Sequence, residues 1–198
     1  MPEQDRPQDF DPAMQTDGRT KDEVAAAIRR TNYGDEGPHT FAPEFPTIAP
    51  ALMIDWSVVE AFLKACRSAG VGYALGAKVP NDNSVPGRDF TAVDCSGFVR
   101  AAIRRATNPI VPIPDGSVVQ QDWVQAKGFM RGTVADGSLK DGKIRIAFLN
   151  PQDSPEGVGH VVLILNSATV ESHGGVGPDS RPFTGVGWQA KAKVYLLS

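Results

Sequence analysis

Three observations predict an α+β fold, with helices packed on one antiparallel sheet. Apolar residues recur at helical spacing in 21–31, 55–69, 95–106 and 117–127. From residue 143 the period shortens towards two, in 143–149, 160–165, 168–173 and 191–197. The helical patterns all precede the strand patterns, which is the order of an α+β chain.

Residues 1–20 are rich in Pro, Asp and Gln and poor in apolar residues, so they read as a loose segment. Thr20, with Glu23 three residues on, is a capping box for a short helix over 21–31. Four prolines and two glycines make 32–50 an extended linker, with His39 exposed in it. The chain therefore divides into an N-terminal extension, 1–50, and a working domain, 51–198. The helix over 55–69 has Asp55 as N-cap and Gly70 as terminator. Val58, Val59, Phe62, Leu63 and Cys66 lie on its inward stripe, so Cys66 reads as core packing. In 95–106, Phe98, Val99, Ala102, Ile103 and Ala106 share a stripe, with Arg100, Arg104 and Arg105 off it. Three prolines in 107–116 end that helix. The helix over 117–127 turns Val119, Trp123 and Ala126 inward and stops at Gly128, and the glycine-rich 128–142 reads as irregular.

Asn166-Ser167 reads as a two-residue turn between the strands at 160–165 and 168–173. That turn sets Glu171 opposite Val162 and His173 opposite His160, all on one face of the sheet. Ser172 and Val170 then point to the other face, and a one-residue slip would exchange the two sets.

Composition excludes several classes. The net charge of −3 argues against a general nucleic-acid binder. The charge is uneven: residues 1–50 hold five basic and ten acidic side chains, leaving the remainder slightly positive. No apolar run reaches the length of a membrane span. Two cysteines, Cys66 and Cys95, make no disulfide framework. The N-terminus lacks a basic stretch followed by an apolar one, so the expectation is synthesis in the cytoplasm, without a signal peptide.

Cys95 opens the helix over 95–106, directly after Asp94. Unpaired N–H groups and partial positive charge gather at a helix N-terminus, and a thiol there has its thiolate stabilised. A cysteine nucleophile also needs a base and a group to orient the base. His160, at the start of a strand, is the candidate base, and Glu171 or His173 on the same face can orient it. A metal site built from Cys95, His160, Glu171 and His173 has no ligand-spacing motif to support it, so no metal or other cofactor is expected.

Asp94-Cys95-Ser96-Gly97-Phe98-Val99, followed by Gly159-His160-Val161, resembles the NlpC-like family of bacterial cell-wall cysteine peptidases, within the papain-like superfamily. Tyr73-Ala74-Leu75-Gly76 is similar to the family's upstream Tyr-x-x-Gly element. Pro112-Ile113-Pro114, with Gln120 or Gln121 after it, resembles its Leu-Pro-Arg…Gln segment, and Thr169 to His173 fall where it places its third polar residue.

The resemblance implies a papain-like, NlpC-type fold and hydrolysis of an amide in a peptidoglycan stem peptide, often the bond between γ-D-glutamate and the diamino acid. It implies Cys95 as nucleophile, His160 as base, and Glu171 or His173 as third residue. Tyr73, Asp94 and Ser96 match positions that line the pocket for the substrate's amino end, and the Cys95 N–H would help to stabilise the oxyanion. Asp141-Gly142-Lys143 replaces a common Gly-Asp-Leu, Asp115 replaces the Arg after Pro114, and the loop 150–159 is long. These departures bear on specificity. The helix-first layout without a signal peptide is similar to amidase effectors of type VI secretion and to phage lytic enzymes. Action in the periplasm or wall, with a secretion-system carrier or an immunity protein as partner, would follow. The alternatives are the same Cys–His chemistry on a non-wall amide or acyl group, and a non-catalytic binding module of the same fold.

Overall fold

The computed structural model of the protein describes residues 18–38, 41 and 51–198. The expectations for residues 1–17, for His39 and for 42–50 concern positions outside those described.

Five helical segments come first. α1 (Lys21–Tyr33) starts at the expected capping box and runs two residues past the expected end, to Gly34 at φ 71°. α2 (Trp56–Ser68) is capped by the Asp55 carboxylate, which accepts the Ser57 N–H at 3.0 Å. Gly70 follows it in the left-handed region, at φ 66°. Cys66 on α2 has no accessible surface, and burial pushes its thiol up to about 12, as suits a core residue. α3 (Cys95–Arg105) and α4 (Ser117–Ala126) stand where the apolar stripes predict them. The segment expected to be irregular contains one helical turn, α5 (Val134–Gly137). A second capping box, Thr133 with Asp136, closes that turn.

The sheet has five antiparallel strands: β1 (Arg145–Leu149), β2 (His160–Leu165), β3 (Ala168–His173), β4 (Gly177–Asp179) and β5 (Lys193–Leu196), in the order β4-β3-β2-β1-β5. Asn166 and Ser167 both take positive φ, 50° and 64°, the signature of a type I′ turn. The pairing that follows, Leu163 with Val170 and Ile164 with Thr169, is the predicted register. β4 falls outside the four strand patterns of the sequence. Gly-Pro-Asp has no apolar alternation, and it becomes a strand by pairing its backbone with β3.

β2 is buried on both faces, which accounts for its unbroken apolar run. On one face α3 packs Phe98, Val99 and Ile103 among Val161, Leu163 and Ile146, and Phe98 stacks on Phe62 of α2 at 5.3 Å. On the other, Ala147, Val162, Ile164 and Val194 are covered by Phe183, with Trp188 beside it. α1 is hydrogen-bonded into this body. Its last turn carries two fully or nearly buried polar residues, Thr31 and Asn32.

Candidate active site

The site forms where the N-terminus of α3 meets the start of β2. Asp94 is the N-cap: its Oδ1 accepts the Gly97 N–H at 2.7 Å, leaving Cys95 as the first residue of the helix. Cys95 has no accessible surface, and its Sγ lies 3.8 Å from the Gly159 carbonyl oxygen. His160 follows Gly159 directly, which brings its imidazole near enough to the Cys95 sulfur for the two to interact electrostatically.

The other side of the imidazole is held firmly. Nε2 of His160 lies 2.7 Å from Oε2 of Glu171, a residue with no accessible surface. Nε2–H donates to that carboxylate, so Nδ1 is the ring nitrogen presented to the thiol. Glu171 is itself gripped by Arg181, whose Nε and Nη2 each donate at 2.9 Å, and by the Thr169 hydroxyl at 2.5 Å. Burial opposes charge on Glu171. The hydrogen bond and charge of His160, then those of Arg181, override it and hold the carboxyl well below its usual range. Burial likewise favours neutral His160. The interaction with Cys95, the hydrogen bond to Glu171 and the negative charge of both outweigh it, raising the imidazole to about 10. Trp188 packs edge-on against the ring, centroids 5.0 Å apart, and Arg181 lies 5.9 Å from the centre of that indole.

Of the two candidates for the orienting group, Glu171 meets the ring. His173 turns to the far edge of β3, with Nδ1 3.3 Å from the Gly174 carbonyl oxygen and Nε2 3.8 Å from Asp179. Ser172 points to the opposite face, as the register requires, and donates to the Val93 carbonyl at 2.8 Å.

Tyr73, Asp94 and Ser96 all gather beside Cys95. Burial, then the charges of Cys95 and Asp94, push the Tyr73 phenol well above its ordinary value, so it stays protonated. Asp94 and Ser96 have no accessible surface. Lys78 Nζ donates to Asp94 Oδ2 and to Ser96 Oγ, each at 2.7 Å, and pairs with Asp115 at 3.0 Å. Burial would discharge this amine, but Asp94 and Asp115 reverse the effect and keep it protonated.

Sequence patterns gave no sign of Arg181, Trp188, Lys78 or Asn32. Arg181 lies in a loop and Trp188 in a short 3₁₀ helix, Gly187–Lys191, neither with a periodic pattern, and Asn32 sits in the stretch read as linker. Asn32 spans the loop before His160: Oδ1 accepts the Gly159 N–H at 2.7 Å and Nδ2 donates to the Gly157 carbonyl at 2.9 Å. Gly159 is tightly enclosed as well, since a Cβ there would stand 2.5 Å from Ser117 Oγ. Asn32→Ala leaves the buried Gly159 N–H unpaired and gives the carbonyl of exposed Gly157 back to water, and is expected to cost about 1–3 kcal/mol of stability. Denaturant unfolding measures that cost. Hydrogen exchange at the Gly159 amide should accelerate by at least about tenfold, and unchanged exchange would show that the loop does not depend on Asn32.

Beside His160 a cavity of about 190 Å³ is lined by Leu149, Pro155, Val158 and Trp188, with Glu156 and Lys191 also on its wall. Among the described residues, no three or more His, Cys, Asp or Glu side chains are placed to hold a metal ion, and no helix is long and apolar enough to cross a membrane. No protein-family model matches this chain, and no curated protein matches it in sequence.

Proposed function

We propose that the protein is a thiol amidase of the papain-like, NlpC-like class, cleaving a peptidoglycan stem peptide at the bond between γ-D-glutamate and the diamino acid. The observation that carries this reading is the relay of Cys95, at a helix N-terminus, to His160 and on to the Arg181-anchored Glu171. A core thiol has no use for a buried imidazole fixed on its far side by a carboxylate.

With the Sγ proton carried on Nδ1 of His160, as the raised imidazole allows, the thiolate attacks the scissile carbonyl carbon. The new oxyanion accepts the Cys95 N–H, a first-turn donor with no intrahelical acceptor. Collapse breaks the C–N bond while His160 protonates the departing amine. His160 then deprotonates a water that cleaves the thioester, releasing a carboxylate and restoring the thiol. The amine departs past His160, so the apolar cavity against Trp188 receives the leaving residue. Cys95 has no accessible surface, so a local opening precedes attack.

The test is digestion of purified sacculi followed by mass analysis of the soluble muropeptides. The expected products carry a new free amine on the diamino acid and a new carboxyl on glutamate. Sacculi with no new termini of either kind would rule the reading out.

A further inference from the structure

We infer that α1 is part of the active site: Thr31 and Asn32, adjacent in its last turn, are positioning residues that hold the Cys95 helix and the entry to the His160 strand facing each other. This rests on the Cys–His reading above and deepens it, without depending on which amide is cut.

α1 docks in an unusual way. Its apolar residues Val24, Ala27 and Ile28 are only half-buried, and the two residues of the helix that are buried, Thr31 and Asn32, are polar. A helix attached for stability alone would bury an apolar stripe. Here the buried contacts are hydrogen bonds, and they lead to both halves of the site.

Thr31 serves the nucleophile. Its hydroxyl accepts the Gly76 N–H at 2.8 Å and donates to Asp94 Oδ2 at 3.1 Å. Asp94 is the N-cap that starts α3 at Cys95. The Thr31 carbonyl oxygen lies 3.2 Å from Ser96 Oγ, on the other side of Cys95 in the chain. Asn32 serves the base. Its carboxamide spans the Gly159 N–H and the Gly157 carbonyl. Gly159 precedes His160, and its carbonyl oxygen is the atom 3.8 Å from Cys95 Sγ.

The end of α1 is itself fixed. A Cβ on Gly116, the N-cap of α4, would stand 2.5 Å from the Gly34 nitrogen, so backbone meets backbone there. Apolar packing of α3 on β2 sets the spacing of the layers but is non-directional. The α1 hydrogen bonds are directional and fix how the two ends face each other. An error of about 1 Å in such a pair costs on the order of a hundredfold in rate.

The experiment compares full-length Thr31→Val, Thr31→Ser and Asn32→Ala proteins with the unmodified one. Amine release from sacculi gives the rate, and NMR gives the titration of His160, assigned by the signal lost in His160→Gln. Thr31→Val and Asn32→Ala should each lose at least about tenfold in rate. In both, His160 should titrate lower by at least about one pH unit, because it loosens from Cys95. Thr31→Ser, which restores the hydroxyl, should recover rate and titration. A role in folding alone would lower the melting temperature and leave His160 where it was. Folded Thr31→Val and Asn32→Ala proteins with the unmodified titration therefore overturn the inference. Where a variant does not fold, hydrogen exchange on the unmodified protein decides. The Gly76 and Gly159 amides, both held by α1, should open with constants within about threefold of each other, and a larger gap overturns the inference. Sacculi left intact by the unmodified protein would end the hydrolase reading, while the His160 titration would still decide the role of α1.

Discussion

Cys95→Ala protein is expected to lose at least about 10⁵-fold in the rate of new-amine release from sacculi while keeping its fold. The loss is that large because the proposed relay has a single nucleophile, and in that mechanism His160 without a thiol has nothing to deprotonate but water. The fold should survive, since α3 keeps its N-cap: Asp94 accepts from Gly97, not from the thiol. One buried sulfur is removed, which costs about 1 kcal/mol. The measurement pairs muropeptide release with a thermal melt. Cys66→Ala serves as the matched control, because Cys66 lies in the core on α2 with its thiol pushed up to about 12. Activity that survives in a folded Cys95→Ala protein would sink the thiol mechanism.

Glu171→Gln should lower the rate by about 10² to 10⁴-fold and destabilise the protein by about 3 kcal/mol. The rate falls because the amide can still touch the ring but no longer stabilises the imidazolium that the mechanism creates. Stability falls because the variant leaves the Arg181 guanidinium facing a neutral group in a largely buried site. The pH dependence separates the two effects. His160 is raised from its ordinary value to about 10 in the folded protein. A raised cationic group contributes stability that is complete below the unfolded value and fades as pH climbs through the folded one. That contribution is therefore lost between about 6.5 and about 10. Glu171, held low, contributes stability that disappears as pH falls below its ordinary carboxyl range. The variant should shift the loss on the alkaline side to lower pH and flatten the acid side. Denaturant midpoints across pH read this directly, and identical profiles for the two proteins would refute the role given to Glu171.

Much of the fold was legible because its signals are local. Thr20 with Glu23, Asp55 and Gly70, and Asp94 before Cys95 are caps whose geometry depends on a few neighbouring residues. The β2–β3 register followed from two turn residues, and it placed Glu171 on the same face as His160. β4 was not legible. Three residues without alternation form a strand only because β3 presents a free edge.

The residues themselves specified the helices-then-sheet order, the position of Cys95 at a helix start, and the shared face of His160 and Glu171, because each depends on spacing along the chain. Only the tertiary structure could choose Glu171 over His173, since that choice turns on Arg181 and Trp188, brought from a loop and a 3₁₀ helix further along the chain. Only it could bind α1 to the site through Asn32, or lay Lys78 across Gly97 on to Asp94. These contacts join residues far apart in sequence, and their stability comes from burial, which no local pattern records.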